Sequence, residues 1–422
     1  MTLRTLRFLA VAVLGALSLS SCSGGGAARP PCPTGEHCLL IGNGSEPNTL
    51  DPHRATGTWE DHILSDMFVG LTQDDADGHP IPGMASSWET SADGLTWTFH
   101  LRDARWSDGV PVTADDFVYS LRRILTPNVA SEYAYLLYFI RNAQPVNAGR
   151  MPVSELGVRA IDPHTLEIRL EHPAPYLLEI AKHQTMMPVP RHIVERFGDG
   201  WTDPAHPERY VSNGAYRLVD WRLGNRVRVR RNPYFWDRGS LCFDQIDYFP
   251  TTDAVSAERR VLSGELDVNG AISSTRIQRL RQQHPAYVRV ATYLGTSYMV
   301  FNNRVPAFRD PRVRLAISMG IDRDFIVGHL LRDGRPPAYT FVPPGIANYS
   351  PPPPPAWSTW TFARRQAEAR RLMAAAGYTP EHPLALEIYH APDPDSDLYM
   401  EALQADLGEI GVRLSLRLRD TQ

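Results

Sequence analysis

A chain of 422 residues exceeds what one compact core usually holds, so two or more lobes are expected. Hydrophobic residues at 43% and charged residues at 21% exclude a disordered or fibrous chain. A net charge of −4 gives no electrostatic basis for binding nucleic acid.

In chain order the first signal is an export segment. Arg4 and Arg7 precede an apolar run from Phe8 to Leu19, too short to span a bilayer as a mature helix, and Ser20 and Ser21 follow. Residues 1–21 therefore read as a signal peptide. Leu19-Ser20-Ser21-Cys22 resembles the bacterial lipobox, which implies that Cys22 is lipidated and tethers a soluble body to a membrane. Residues 22–38 read as the anchor and a flexible linker, because glycines, small residues and prolines from Ser23 to Pro33 cannot build a core. In an oxidising compartment Cys32 and Cys38 either pair or remain two surface thiols; Cys242 has no evident partner.

Order is expected from about Leu39, with strands and helices alternating in a mixed α/β architecture. Trp97, Phe99 and Leu101 alternate on one face of a strand, as do Leu166, Ile168 and Leu170, Val227 and Val229, and Leu384, Leu386 and Ile388. Thr113 caps a helix that starts with Asp115 and Asp116, ends with Arg122 and Arg123, and is stopped by Pro127. Further helices are expected from Pro311 to Met319, from Asp322 to near Gly334, from Ala363 to Ala376, and from the acidic run Asp393, Asp395, Asp397 to Gly411. Pro351 to Pro355 reads as a stiff surface crossing.

Catalytic signatures do not emerge. There is no Gly-x-Ser-x-Gly, no His-Glu-x-x-His and no P-loop, and Gly42-Asn43-Gly44 lacks a third glycine. The acidic run is no calcium loop, since Leu398 holds the turn position and Gln404 the position of the bidentate acid. No metal site, no cofactor and no enzymatic activity are expected.

Several segments taken together do carry a resemblance. They are 43–53 (Asn-Gly-Ser-Glu-Pro-Asn-Thr-Leu-Asp-Pro-His), Met67-Phe68-Val69-Gly70-Leu71, Gly83-Met84-Ala85, Leu95 to Arg102, Trp106-Ser107-Asp108-Gly109 and Thr113 to Arg123. Ser212-Asn213-Gly214-Ala215-Tyr216, Arg231-Asn232-Pro233-Tyr234, Phe301-Asn302-Asn303, Phe308 to Arg314 and Ala376-Gly377-Tyr378 continue the series. In this order they resemble the extracytoplasmic solute-binding proteins of peptide ABC importers, the oligopeptide- and dipeptide-binding proteins. The resemblance implies the two-lobed periplasmic-binding-protein fold with a hinge and an additional small domain. Lobe I would comprise 39–68 and 190–294, the additional domain 69–189, and lobe II 295–422. Family members continue past the strand equivalent to Val412 to Leu418, with an aspartate for the peptide's amino group and an arginine for its carboxylate. The second lobe is therefore expected to be incomplete at its C-terminus.

Position by position, the resemblance places backbone pairing to the peptide on Thr56, Gly57 and Thr58, with an ordinary surface turn as the rival reading. It places a ligand-touching tyrosine on Tyr133, whose rival is a core tyrosine, and further contacts on Gly270 or Ala271, where Asn269 would replace a family amide. A family lysine falls on Leu331, beside Arg332, and a family histidine on Tyr399. The implied function is an extracytoplasmic lipoprotein that captures peptides and delivers them to an ABC permease, acting as a monomer in the periplasm or cell envelope. Alternatives are the same scaffold binding a cell-wall peptide or nickel chelate, or a secreted hydrolase.

Overall fold

A computed structural model describes residues 29–291, 293–346, 348–390 and 394–418. The export segment, Cys22 and Asp393 lie outside the described residues. The chain divides into two compact units, Met1–Ala271 and Ile272–Gln422.

In the first unit, a five-stranded sheet has the order β11-β1-β10-β9-β8, built from β1 (Cys38–Gly42), β8 (Tyr216–Arg222), β9 (Arg226–Arg231), β10 (Gln245–Phe249) and β11 (Val268–Asn269). β1 runs parallel to both β10 and β11, while β9 is antiparallel to β10 and β8. The Arg-Val-Arg-Val-Arg-Arg sequence of β9 shows why it is a strand: Val227 and Val229 are buried, and the alternate arginines meet carboxylates across the sheet. Arg226 pairs with Asp220 at 2.9 Å and Arg228 with the fully buried Asp247 at 2.6 Å.

A second, antiparallel sheet has the order β4-β5-β7-β6, from β4 (Ala85–Thr90), β5 (Thr96–Leu101), β6 (Val158–Asp162) and β7 (Thr165–Arg169); β2 (Thr72–Asp74) and β3 (Pro80–Pro82) form a separate hairpin. Register sets Trp97 opposite Ile168 and Phe99 opposite Leu166, and these side chains enter one continuous core with residues of the five-stranded sheet. The segment 69–189 thus shares its core with the rest of this unit. Helix α1 (Thr58–Met67) and helix α2 (Ala114–Ile124) bury their apolar faces in it. At the start of α2 the Asp116 carboxylate accepts from the Thr113 amide at 2.9 Å, and Phe117, Leu121 and Ile124 line the inner face. Residues 29–38, expected as a flexible linker, are held to this unit. Arg29 grips Asp267 at 2.7 and 3.0 Å, and Cys32 and Cys38 form a disulfide. Cys242 is an exposed free thiol.

The Ser-Asn-Gly motif at 212–214 is structural. The Asn213 amide brackets Val69, donating to its carbonyl at 2.9 Å and accepting from its amide at 3.1 Å. The Gly214 amide donates to Met67 at 2.7 Å, and Asn232 donates to the Gly214 carbonyl at 2.9 Å. These contacts pin the end of α1 to the strand β8.

In the second unit, helix α3 (Ser274–Gln283) precedes α4 (Pro311–Met319), α5 (Phe362–Ala375) and α6 (Pro394–Gly408), and α6 connects β12 (Leu384–His390) to its parallel partner β13 (Val412–Leu418). Val313, Ile317, Met373, Leu403, Leu407 and Val412 meet in the core of this unit. Asp310 caps α4 by accepting from the Arg312 amide at 2.8 Å. The helix expected from Asp322 to Gly334 is only a short α-turn (Arg323–Phe325) followed by a π-helical stretch (Ile326–Leu331), which the left-handed Arg332 terminates. The last helix ends at Gly408 rather than Gly411, where a positive φ of 84° turns the chain into β13. Residues 272–294, expected in lobe I, fall within this compact unit. Asp395 of α6 accepts from the Ser274 hydroxyl at 2.8 Å, and Gln278 donates to the Arg332 carbonyl at 2.8 Å.

A Cβ at Gly214 would lie 2.4 Å from the Met67 carbonyl carbon, a backbone atom that cannot turn aside. Gly214→Ala is expected to destabilise the first unit by about 3 kcal/mol in urea unfolding, at the upper end for overpacking. An unchanged midpoint would refute this packing.

Candidate functional site

The carboxyl ends of the parallel strands β1, β10 and β11 form one rim of the first unit, the place where open α/β sheets present their binding loops. Asn43, just after β1, donates to the Trp59 carbonyl at 2.8 Å and accepts from His62 Nδ1 at 3.0 Å, tying the rim to the first turn of α1. Thr251, just after β10, accepts from the Gly44 amide at 3.1 Å and donates to Asn269 Oδ1 at 3.0 Å. A Cβ at Gly42 would lie 2.3 Å from Asn269 Oδ1, so a side chain there would have to displace the Asn269 amide.

The loop from Leu50 to Thr58 rises from this rim on a buried polar lattice. Arg123 of α2 holds Asp51 in a two-point ion pair at 3.0 and 2.5 Å and donates to His53 Nδ1 at 2.9 Å. His53 Nε2 donates to the Met187 carbonyl at 3.2 Å, so the imidazole is neutral, with its proton on Nε2. Tyr210 donates to the Leu50 carbonyl at 2.6 Å, and the buried Gln184 donates to the Ala55 carbonyl. Burial pushes Asp51 up, but the Arg123 hydrogen bonds and charge outweigh it and hold the carboxyl below its usual range. Burial and the Arg123 charge depress His53 to about 4.

At the top of this loop Thr56 and Thr58 are exposed, and Gly57 is extended (φ −91°, ψ 152°) as it enters α1. Tyr133 is half-buried, and its hydroxyl donates to the Thr56 carbonyl at 3.1 Å. Its ring meets the His183 imidazole edge-on, with centroids 5.6 Å apart. Tyr133 is thus a strut beneath the loop, neither a core residue nor a detached one. A Cβ at Gly57 would fall 2.2 Å from Glu60 Oε2 and 2.6 Å from the Trp59 ring, so a larger residue there would displace both side chains. No described residue accepts from the Gly57 or Thr58 amides.

Gly270 and Ala271 lie exposed at the end of β11 on the same unit. Gly270 donates to Gly42 at 3.4 Å, and the Ala271 carbonyl accepts from Asn269 at 2.5 Å. The Asn269 amide is therefore engaged on both sides. Tyr399 belongs to the second unit, half-buried on α6, with its hydroxyl 3.1 Å from Ser396 Oγ. Leu331, where the family resemblance placed a lysine, is buried in the second core, and Arg332 beside it is exposed.

Sequence reasoning passed over Asn43, His62, Gln184, His183 and the first-turn acids Glu60 and Asp61. The spacing of Leu50-Asp51-Pro52-His53 was the available clue, since a short acid–histidine pair before a glycine needs a distant partner when buried. Among the described residues, Asp75, Asp77 and His79 could offer ligand atoms to a metal, but Asp75 already accepts from the Asp77 and His79 amides and builds the exposed β2–β3 turn. A cavity of about 360 Å³ along α2, lined by Asp115, Tyr119, Arg122, Arg123 and Arg191 among others, includes none of the sequence-predicted site residues.

His53 gives the loop a pH signature. Its folded pKa lies below its unfolded one, so the unfolded chain takes up the proton first, and stability is lost as pH falls from about 6.5 towards 4. Relative to His53→Gln, which can keep both hydrogen bonds, the wild-type chain should lose about 2 kcal/mol more unfolding free energy between pH 7 and pH 4.5. Parallel losses in denaturant titrations would remove His53 from the lattice.

Comparison with known proteins agrees with this architecture. The family described as bacterial extracellular solute-binding proteins, family 5 Middle, matches residues 79–422. The periplasmic oligopeptide-binding protein OppA of Escherichia coli is 42% identical over 383 residues, covering 90% of this chain and 70% of that protein. The E. coli murein tripeptide-binding protein MppA superposes with a TM-score of 0.86 at 33% identity, over 92% of this chain and 76% of that one. Haemophilus influenzae OppA in complex with the peptide RPPGFSPFR gives 0.83 at 31% identity over the same shares. The chain belongs to the bacterial extracellular solute-binding proteins of family 5.

Proposed function

We propose that this protein captures peptides outside the cytoplasm and delivers them to an ABC permease. One observation carries the reading. Thr56 and the extended Gly57 lead into Thr58, the first residue of α1, with the Gly57 and Thr58 amides unbonded, and the segment is underpinned by the Asp51–Arg123–His53 lattice and the Tyr133 strut. A segment presented in this way can pair with the backbone of an extended peptide whatever its side chains, which suits a receptor of broad specificity. The names of the similar proteins, periplasmic oligopeptide-binding and murein tripeptide-binding, support a peptide ligand and a periplasmic location.

The remaining assignments belong to the same proposal. Residues 1–21 direct export and Cys22 carries a lipid anchor, so membrane attachment is by the anchor alone and the body acts as a monomer. The first lobe is taken to Ala271, where the compact units part, with 69–189 as the additional domain and the second lobe following. Gly270, Ala271 and Tyr399 are further ligand contacts. The similarity to MppA supports a cell-wall peptide as a second reading.

Denaturing mass spectrometry of small molecules co-purified with the full chain tests both readings. Short peptides of mixed sequence are expected. A uniform set of cell-wall peptides would select the second reading, and consistent absence of any peptide, with none bound on titration, would sink both.

A further inference from the structure

Two acids begin helix α1 immediately after the Thr56–Thr58 segment. Glu60 is 1% exposed, and its Oε1 accepts from the Asn48 amide at 2.9 Å. Its Oε2 has no partner and lies against Gly57, only 2.2 Å from where a Cβ would stand. Asp61, the next residue, is half-buried, and no described donor or cation reaches its carboxylate. Burial raises its pKa, the nearby His183 and His62 lower it, and Asp74 raises it again. None of these neighbours neutralises it. His183 Nδ1 accepts from the Thr185 amide at 3.3 Å, and burial lowers its pKa, which keeps the ring neutral. His62 donates to Asn43. Lys182 is spent on Asp74 at 2.5 Å and Glu179 at 2.9 Å. Tyr133, which senses both acids as well as Glu132, uses its hydroxyl on Thr56.

First-turn acids are favoured by the helix dipole, which accounts for their presence at this end of α1. The dipole does not account for a buried Glu60 oxygen left without a partner, nor for a half-buried, uncompensated carboxylate on the next residue. Each is costly in the empty protein, and a cation supplied from outside would relieve the Asp61 carboxylate.

We propose that Asp61, with Glu60 behind Gly57, forms a cation subsite at the start of α1 that favours ligands placing an ammonium or guanidinium group beside Thr56–Thr58. The inference rests on the peptide-binding reading and names a specificity within it. The cation can come from a lysine or arginine side chain or from the peptide's amino terminus.

Isothermal titration of the full chain at low salt with Ala-Lys-Ala, Ala-Gln-Ala and their Nα-acetylated forms distinguishes these sources. The wild type should bind cationic forms about ten-fold more tightly than neutral ones, a modest charge-pair preference. Loss of preference on acetylation would assign the amino terminus, and a lysine preference that survives acetylation would assign the side chain. Asp61→Asn should bring the ratio close to one, and Asp61→Glu should retain most of it. A purely helix-stabilising role would instead lower the unfolding midpoint and leave the ratio untouched, which would overturn the proposal. Lysinamide provides a separate probe. It should shift the Asp61 carboxyl carbon resonance, identified by its loss in Asp61→Asn. No shift would overturn the subsite even if peptides bind; a shift without peptide binding would support the cation site and sink the peptide-capture reading.

Discussion

The ion pair between Asp51 and Arg123, with His53 as its third member, is the constraint on which the candidate site depends. Arg123 comes from the end of a helix in the middle of the first unit, and Asp51 from a loop leaving the first strand. Once buried, neither charge can remain without the other, because removing one partner leaves an uncompensated ion in a low-dielectric interior. The loop is thereby confined to one path from Leu50 to Thr56. Gln184 and Tyr133 fix the same path from the other side through the Ala55 and Thr56 carbonyls. The backbone at Gly57 and Thr58 is positioned by its hydrogen-bonded neighbours, and it is available because its own amides are unbonded.

The same division between satisfied and available groups extends around the rim. Thr251 bonds Asn269 and the Gly44 amide, and Asn43 bonds the Phe249 carbonyl and the start of α1, so the ends of three parallel strands are linked as one platform. Buried polar atoms without a partner beside this loop include Arg54 Nε, Trp59 Nε1, Gln184 Oε1 and Glu60 Oε2, the last a carboxylate oxygen. Where most buried polar atoms are paired, an orphan carboxylate oxygen marks either stored strain or a missing partner. Its place beside the extended segment links the electrostatics of the rim to the choice of ligand.

Much of the fold was legible in local pattern. Alternation at Trp97, Phe99 and Leu101 and caps at Thr113 and Asp310 depend on residues a few positions apart, and the strands and helices formed where those patterns placed them. The helix after Asp322 failed because apolar periodicity does not distinguish α- from π-helical hydrogen bonding, and Arg332 adopts a left-handed conformation that no Gly or Asn announced. Residues 29–38 looked like linker by composition, yet one arginine and one disulfide bind them to the sheet. Composition registers the absence of a core, not the presence of a single strong tether.

What the sequence determined by itself was the order of elements and the family, since both are carried by short motifs and by period. It also singled out Thr56, Gly57, Thr58 and Tyr133, which the structure does bring together. Only the tertiary structure decided what those residues do. Arg123 lies 72 residues from Asp51 and Gln184 lies 129 from Ala55, and a polar side chain's partner at such separation is chosen by packing rather than by spacing. The Tyr133 hydroxyl is committed to a carbonyl, Leu331 is committed to a core, and the Asp61 carboxylate is left uncommitted. Those three outcomes follow from where desolvation and hydrogen-bond geometry coincide, which a linear sequence does not encode locally.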